Sequence, residues 1–167
     1  MTDEAAAGSE GAAQGPKFEI IHQYIKDLSL EVPGAPEVFK TQSPPEVAVN
    51  VDVGVQPAGD NDYEIVLRID ARGQSGGNQL FIVELAYGGL FRTTGEVPQE
   101  HLQALLMVEG PRMLFPFARN VVATVTRDGG LPPLMISPID FVQMFRNRIA
   151  RAQEEAAAQG DGDGAPA

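Results

Sequence analysis

The chain has 167 residues, a formal net charge of −11, 43% hydrophobic residues and no cysteine. This length suits one domain with a substantial core, and the absence of cysteine excludes disulfides, thiolate catalysis and cysteine-based zinc sites. The acidic balance, without a cluster of lysine and arginine, argues against nucleic acid and anionic membranes as partners, because phosphate binding needs clustered positive charge.

The two ends differ in composition from the rest of the chain. Residues 1–16 and 156–167 are rich in alanine, glycine and acids and lack hydrophobic periodicity. We therefore expect a disordered acidic N-terminal tail, a domain over residues 17–155 and a disordered C-terminal tail. The first residues lack the basic and apolar regions of a signal peptide, and the chain has no run of about 18 apolar residues to cross a membrane. These patterns predict a soluble cytoplasmic protein.

The first half of the domain alternates between apolar and polar residues with a period of two. Apolar residues occupy most even positions of 18–32, valine occupies every odd position of 47–55, and 63–72 alternates in the same way. The stretch 79–91 is apolar on both faces except at Glu84. We predict four strands. The last one needs cover on both faces, from a second copy of the chain or from another partner.

The second half of the domain is predicted to be helical. A first helix is expected to end at about Glu109, because Gly110 and Pro111 follow it. A second covers 112–127, and a last helix begins with Ser137 as its N-cap. Strands followed by helices indicate an α+β fold, a four-stranded antiparallel sheet with helices packed on one face.

The chain offers little for catalysis. His22 and His101 are its only histidines, and neither lies in a metal-ligand spacing. The glycine-rich segment at 73–77 lacks the lysine of a phosphate-binding loop and connects two strands, so we interpret it as a hairpin. We therefore predict no catalytic residue, no metal site and no cofactor, and an enzyme is the least supported class.

Two strands carry acids on their more polar faces. Asp27 and Glu31 share a face of the first strand, and Ile82 and Glu84 share a face of the last. If these faces lie together, they form a flat acidic patch with an aliphatic centre, to which a basic partner protein could dock. The alternative is an ordinary solvated sheet face.

The segment between the last two helices, residues 131–136, is apolar and stiffened by proline. We call it the connector; its apolar residues are Leu131, Leu134, Met135 and Ile136. Its prolines prevent it from joining a sheet. It either packs down as cover for the core or forms the wall of a groove between the sheet and the last helix, where unstructured apolar segments could lie.

Several segments occur in an order that resembles the SecB family of protein-export chaperones. They are Phe18-Glu-Ile, Tyr24-Ile-Lys-Asp27, Leu30-Glu-Val-Pro33, Ala35-Pro36, Val38-Phe39, Pro45-Glu46-Val47, Tyr63-Glu-Ile-Val-Leu-Arg68, Gly88-Gly-Leu-Phe91, Leu114-Phe-Pro-Phe-Ala-Arg119, Pro132 and Pro138-Ile-Asp-Phe141. The resemblance covers roughly residues 18–150.

The resemblance implies a cytoplasmic, ATP-independent chaperone that assembles as a homotetramer, a dimer of dimers. Such chaperones hold unfolded secretory precursor proteins in apolar grooves, keep them translocation-competent and deliver them to the SecA ATPase. Residue-by-residue matching implies SecA contacts at Asp27, Glu31, Ile82 and Glu84. The residues implied for the client groove are Leu131, Leu134, Met135, Ile136, Phe141 and Phe145.

Two other functions stay open from the residues alone. A carrier of a small apolar ligand would use a cavity between sheet and helices, and it would keep a bound molecule through purification. A purely structural oligomer would assemble in the same way with or without unfolded polypeptide.

Overall fold

The computed structural model describes residues 16–40 and 44–160. Its four strands are β1 (Lys17–Glu31), β2 (Glu46–Pro57), β3 (Asp62–Ser75) and β4 (Asn78–Thr94), and a short 3₁₀ turn at Glu37–Lys40 lies between β1 and β2. They form one antiparallel sheet, as predicted, and the structure gives the strand order β1-β4-β3-β2, so β1 and β2 are the edges. Residues 1–15 and 161–167, most of the two predicted tails, lie outside the described residues.

The helices follow the strands, which confirms the α+β class. The elements are α1 (Gln99–Ala104), a π-helical segment (Leu105–Glu109), α2 (Gly110–Asp128) and α3 (Phe141–Gly160). The first three run on without a break, so the predicted helix end at Glu109 is wrong.

Gly110 serves close packing rather than helix termination. A Cβ atom on this residue would collide with Cδ1 of Ile65 in β3, so the glycine lets the helix approach the sheet. Pro111 lies directly after the π-helical segment and has no backbone N–H to donate. The wider π-helical turn before it lets the backbone continue past the proline.

The core lies between the helices and one side of the sheet, which we call the helix face. Its most enclosed side chains, at 0% exposure, include Ile65, Leu67, Val83, Phe91 and Leu114. The other side, the open face, carries the alternate residues of β4, among them Ile82, Glu84 and Ala86, which are partly or fully exposed. A single chain therefore leaves one face of its two-sided strand uncovered.

The side chains of β1 do not alternate regularly between the two faces of the sheet along the whole strand. Ile21 and Lys26 are the extra residues of two β-bulges in its pairing with β4. Each bulge shifts the following side chains to the other face of the sheet. Leu28 packs against the core, whereas Tyr24 lies on the open face above Gly88. The alternation of 18–32 predicts that these two even-numbered residues share one apolar face, and this is wrong because the bulges have no signature in the sequence.

The start of α3 also differs from the prediction. Asp140, not Ser137, caps the helix: its Oδ1 accepts a hydrogen bond of 2.9 Å from the backbone N–H of Gln143. The helix continues to Gly160, so residues 156–160 are helical although the sequence placed them in the C-terminal tail. The alanines of 156–158 favour this extension through their high helix propensity.

Candidate functional site

The pairing of β1 with β4 brings the predicted acidic residues together. Asp27 lies opposite Ala86, and Glu31 lies opposite Ile82, while Glu84 faces the residue between the two acids of β1. Directly opposed residues of antiparallel strands share one face of the sheet. We call Asp27, Glu31, Ile82 and Glu84 the acidic patch. It occupies the open face; its three acids are exposed and Ile82 is half-buried.

The bulge at Lys26 decides on which face these acids lie. If Lys26 paired regularly with Ala86 instead of bulging, Asp27 would pair with Leu85, whose side chain is buried on the helix face. Because a slip of one residue exchanges the two faces of a strand, Glu31 would also point into the core. The acidic patch therefore depends on a local irregularity of β1.

The adjacent strand β3 partly balances the patch. Asp70 lies opposite Glu84, and Arg72 lies opposite Ile82. Arg68 lies opposite Ala86 but extends toward β2, since a Cβ atom on Gly54 would be 2.8 Å from its Nη1. The open face is thus charged and predominantly acidic at the β1–β4 side.

Glu64 lies on the same open face and was not singled out from the sequence. Its carboxylate accepts hydrogen bonds from Tyr24 Oη at 2.5 Å, from Lys26 Nζ at 2.9 and 2.8 Å to its two oxygens, and from Gln56 Nε2. Only 7% of the residue is exposed. The hydrogen bond from Lys26, followed by that from Tyr24, holds the pKa of Glu64 below its usual range. Three strands are joined at this one carboxylate, a contact that no spacing along the chain could indicate.

The structure separates the predicted groove residues into two groups. Ile136 and Phe141 belong to the core, with 6% and 2% exposure, so their assignment to a groove wall is corrected. The ring of Phe141 contacts Phe115 edge to face, with centroids 6.0 Å apart, which explains its burial. The residues left at the surface are Leu131, Leu134 and Phe145, which are half-buried, and Met135, which is 60% exposed.

The connector is held against the end of α2 by Thr126. The backbone N–H of Leu134 donates to Thr126 Oγ1 at 3.0 Å, and this hydroxyl donates to the Val122 carbonyl at 2.9 Å. The N–H of Leu131 donates to the Thr126 carbonyl at 3.0 Å. These bonds fix the backbone of an otherwise irregular segment and keep Met135 at the surface.

Phe39 joins the same surface and was missed by the sequence analysis. It lies in the 3₁₀ turn after β1 and is 51% exposed. A Cβ atom on Gly130 would be 3.3 Å from its ring, so the turn and the start of the connector are neighbours. The signal available in the sequence was a phenylalanine within a proline-rich loop.

A second apolar surface lies in a groove between β2 and α3. The groove has a volume of about 780 Å³ and opens to solvent. Its apolar lining residues are Val51, Val53, Met107, Met144, Phe145 and Ala152. Arg148 of α3 donates to the Val53 carbonyl at 2.7 Å and thereby ties the helix to the edge strand.

Among residues 16–40 and 44–160, no group of three histidine or acidic side chains could hold a metal ion. No helix in this part of the chain is long and apolar enough to cross a membrane.

An antiparallel sheet with an uncovered charged face, beside grooves with apolar side chains left at the surface, is typical of a protein that binds other polypeptides. The family model for preprotein translocase subunit SecB matches residues 11–152. The chain therefore belongs to the SecB family.

Relatives along nearly the whole chain agree with this assignment. The protein-export protein SecB of Sinorhizobium fredii is 51% identical over 157 residues, which cover 93% of this chain and 94% of the relative. That of Rhodospirillum rubrum is 48% identical over 160 residues, or 95% and 97% of the two chains. The family and these relatives establish a protein-export chaperone.

One solved structure shows the same fold. A SecB-like chaperone of Mycobacterium tuberculosis, in complex with a peptide from an antitoxin, matches with a TM-score of 0.62 at 18% identity. The match covers 73% of this chain and 90% of that chain.

Proposed function

We propose that the chain works in the cytoplasm as an ATP-independent holding chaperone without enzymatic activity. It binds unfolded secretory precursor proteins in apolar grooves, keeps them translocation-competent and delivers them to the SecA ATPase. It acts as a homotetramer, a dimer of dimers. The observation that carries this proposal is the set of apolar side chains left at the surface around the connector and α3.

These side chains supply the binding energy for a client. Met135 and Phe39 are more than half exposed, and Leu131, Leu134 and Phe145 are half-buried. Burial of apolar surface contributes about 0.8 kcal/mol per methylene, so a client segment that covers a few of these residues binds with modest affinity. An unfolded precursor exposes many such segments.

Several grooves on one tetramer raise the affinity for a single long client. After one segment binds, the others meet the remaining grooves at a high effective concentration. A client that folds quickly buries its apolar segments first and escapes, so the preference for slow-folding precursors is kinetic. Release then depends on the partner that accepts the client.

The acidic patch supports docking to SecA. Asp27, Glu31 and Glu84 are exposed carboxylates around the half-buried Ile82 on a flat sheet face. Exposed carboxylates steer a basic partner, and an aliphatic residue among them provides an apolar centre for the contact.

Two other exposed apolar surfaces support assembly. Ile21 and Ile25 of the edge strand β1 are 37% and 48% exposed, and an edge strand offers unpaired backbone groups to another chain. Met113 and Phe117 of α2 are 39% and 51% exposed, and their spacing of four residues places them on one side of the helix. One of these two surfaces can join two chains into a dimer, and the other can join two dimers into a tetramer.

A carrier of a small apolar ligand is less well supported. The β2–α3 groove is open, and charged residues such as Asp52, Arg148 and Glu155 line it beside the apolar ones. A small apolar ligand is usually enclosed by a mostly apolar pocket.

The proposal is tested with the full chain in two assays, aggregation of a slow-folding precursor diluted from urea and binding of purified SecA. Met135→Asp should weaken the suppression of aggregation, because it places a carboxylate where a client needs apolar contact. Glu84→Lys should weaken SecA binding about tenfold or more and leave client binding intact. Glu100→Lys, on exposed α1, has the same charge change and is the control.

Two results would contradict the proposal. One is a wild-type chain that does not suppress aggregation. The other is a stoichiometric small molecule that stays bound through purification, which would favour the carrier.

A further inference from the structure

Burying the carboxylate of Glu64 costs free energy. A buried carboxylate loses its hydration and is tolerated only when hydrogen bonds and an opposite charge compensate it. Here Lys26, Tyr24 and Gln56 all donate to it. Replacing a buried ion pair by apolar residues is often neutral or stabilising. The Lys26–Glu64 pair is only partly buried, and such a pair contributes modestly to stability, so a further role for this arrangement is worth testing.

The cation that Glu64 binds is the ammonium group of Lys26, which is adjacent in sequence to the acidic patch. Lys26 is the bulged residue directly before Asp27 of the acidic patch. Its side chain is 46% exposed, and its ammonium points across β4 to Glu64 on β3. A lysine is a flexible point charge. Released from Glu64, it would be free to pair with the adjacent Asp27 and the other acids of the patch.

One lysine matters because the charge excess around the patch is small. The rows that run from Asp27, Glu84 and Glu31 across the sheet to β3 hold four carboxylates and two guanidiniums, and four minus two leaves an excess of two negative charges. These groups are Asp27, Glu31, Asp70, Glu84, Arg68 and Arg72. The Lys26–Glu64 pair adds no net charge. If Glu64 were neutral, the excess would fall from two to one.

We propose that Glu64 is a positioning residue for SecA docking: it holds the Lys26 ammonium away from the acidic patch, so that the patch keeps its negative charge for a basic partner. This inference rests on the proposed SecA contact. Tyr24 and Gln56 hold the carboxylate in place for this task. Gly88 provides the space for Tyr24 to cross β4, since a Cβ atom there would be 2.6 Å from the tyrosine ring.

The test is the rate at which the full chain associates with purified SecA at several salt concentrations. Glu64→Gln should slow association about three- to tenfold at low salt, and the difference should shrink as salt rises. Glu64→Gln combined with Lys26→Met should return the rate to near that of wild type. Lys26→Met alone should not slow association, because no ammonium is then available to neutralise the acidic patch. Glu100→Gln, a charge change of equal size on α1, is the matched control.

The outcomes decide whether Glu64 is a positioning residue for docking or has a merely structural role. If Glu64→Gln behaves like Glu100→Gln, the inference is overturned. A slow Glu64→Gln variant that Lys26→Met does not restore would show a merely structural role and would also overturn it. If Glu64→Gln fails to fold, Lys26→Met alone still decides, since a slower association contradicts the inference.

Glu84→Lys separates this inference from the proposed function. If it leaves SecA binding unchanged, the proposal that SecA docks at the acidic patch is wrong, and the proposed role of Glu64 is wrong as well. If it weakens binding while Glu64→Gln matches the control, only the role of Glu64 is overturned.

Discussion

At the scale of single residues, Glu64 and Tyr24 are hydrogen-bonded titrating groups on the open face whose pKa values move in opposite directions. Lys26 is the main cause of the lowered pKa of Glu64. Burial, followed by the hydrogen bond to Glu64, raises the pKa of Tyr24 to about 12. The pair is therefore most stable with the carboxylate charged and the phenol neutral, which holds over a wide range around neutral pH.

The lowered pKa of Glu64 predicts a loss of stability in acid. Because the pKa is lower in the folded than in the unfolded chain, its contribution is present above the ordinary value of 4.5 and is lost as pH falls through the lowered value. Glu64→Gln removes this contribution at every pH. Urea unfolding should show a gap in the free energy of unfolding between wild type and variant that is widest near neutral pH and narrows in acid. A gap that is constant with pH would contradict the prediction, and Glu100→Gln should show little gap.

Gly110 offers a second prediction at this scale. Gly110→Ala should lower the free energy of unfolding by about 1–3 kcal/mol, because the new methyl group overlaps Cδ1 of the buried Ile65. Ile65→Val removes that atom, so the double variant should be more stable than the sum of the two single effects. Gly59→Ala is the control, since its Cβ would meet Asp62 Cβ at an ordinary 3.5 Å. Additive effects measured by urea unfolding would argue against the overlap.

At the scale of elements, α3 is packed against the core only at its start. Phe141 is enclosed in the core, but residues 146–158 are all exposed. The hydrogen bond from Arg148 to the Val53 carbonyl ties this outer part to β2. It also occupies an edge group that could otherwise pair with another strand. Arg148 is therefore one of the contacts that set the width of the β2–α3 groove.

Arg148→Met should loosen α3 without unfolding the sheet. Loss of a hydrogen bond worth about 1 kcal/mol corresponds to roughly fivefold faster amide hydrogen exchange in the helix around position 148, with β3 unchanged. Arg146→Met, at an exposed position of the same helix, is the control and should exchange as wild type does. Equal exchange in both variants would mean that the core contacts alone hold the helix.

At the scale of the whole molecule, the exposed apolar surfaces divide into those for assembly and those for clients. The edge strand β1 and the outer side of α2 are proposed for assembly, and the connector with Phe39 is proposed for clients. If this division is correct, the two properties can be changed separately.

Phe117→Asp on α2 and Ile25→Asp on β1 should each reduce the mass measured by light scattering from four chains to two. The reason is that a carboxylate at a buried apolar contact is left without a partner. Met135→Asp should keep the mass of four chains and lose only client binding. A variant of α2 or β1 that retains the full mass would remove that surface from the proposed assembly.

Some features of this protein were determined by its sequence alone. The alternating valines of β2 and the two-sided pattern of β4 predicted the sheet correctly, because alternation along a strand is a local property that survives any arrangement of neighbours. The order of strands and helices predicted the α+β class for the same reason. The segments Gly88-Gly-Leu-Phe91 and Leu114-Phe-Pro-Phe-Ala-Arg119 predicted the family, which the comparisons confirm.

Only the tertiary structure decided which residues meet. The bulge at Lys26 placed the acids on the open face, and the register across three strands brought Glu64 to Lys26. Burial separated Phe141 from Met135, although both had been assigned to one groove. These outcomes depend on pairing register and on packing between distant segments, and a shift of one residue in a strand reverses which face each side chain occupies. Periodicity along the chain contains no information about that shift.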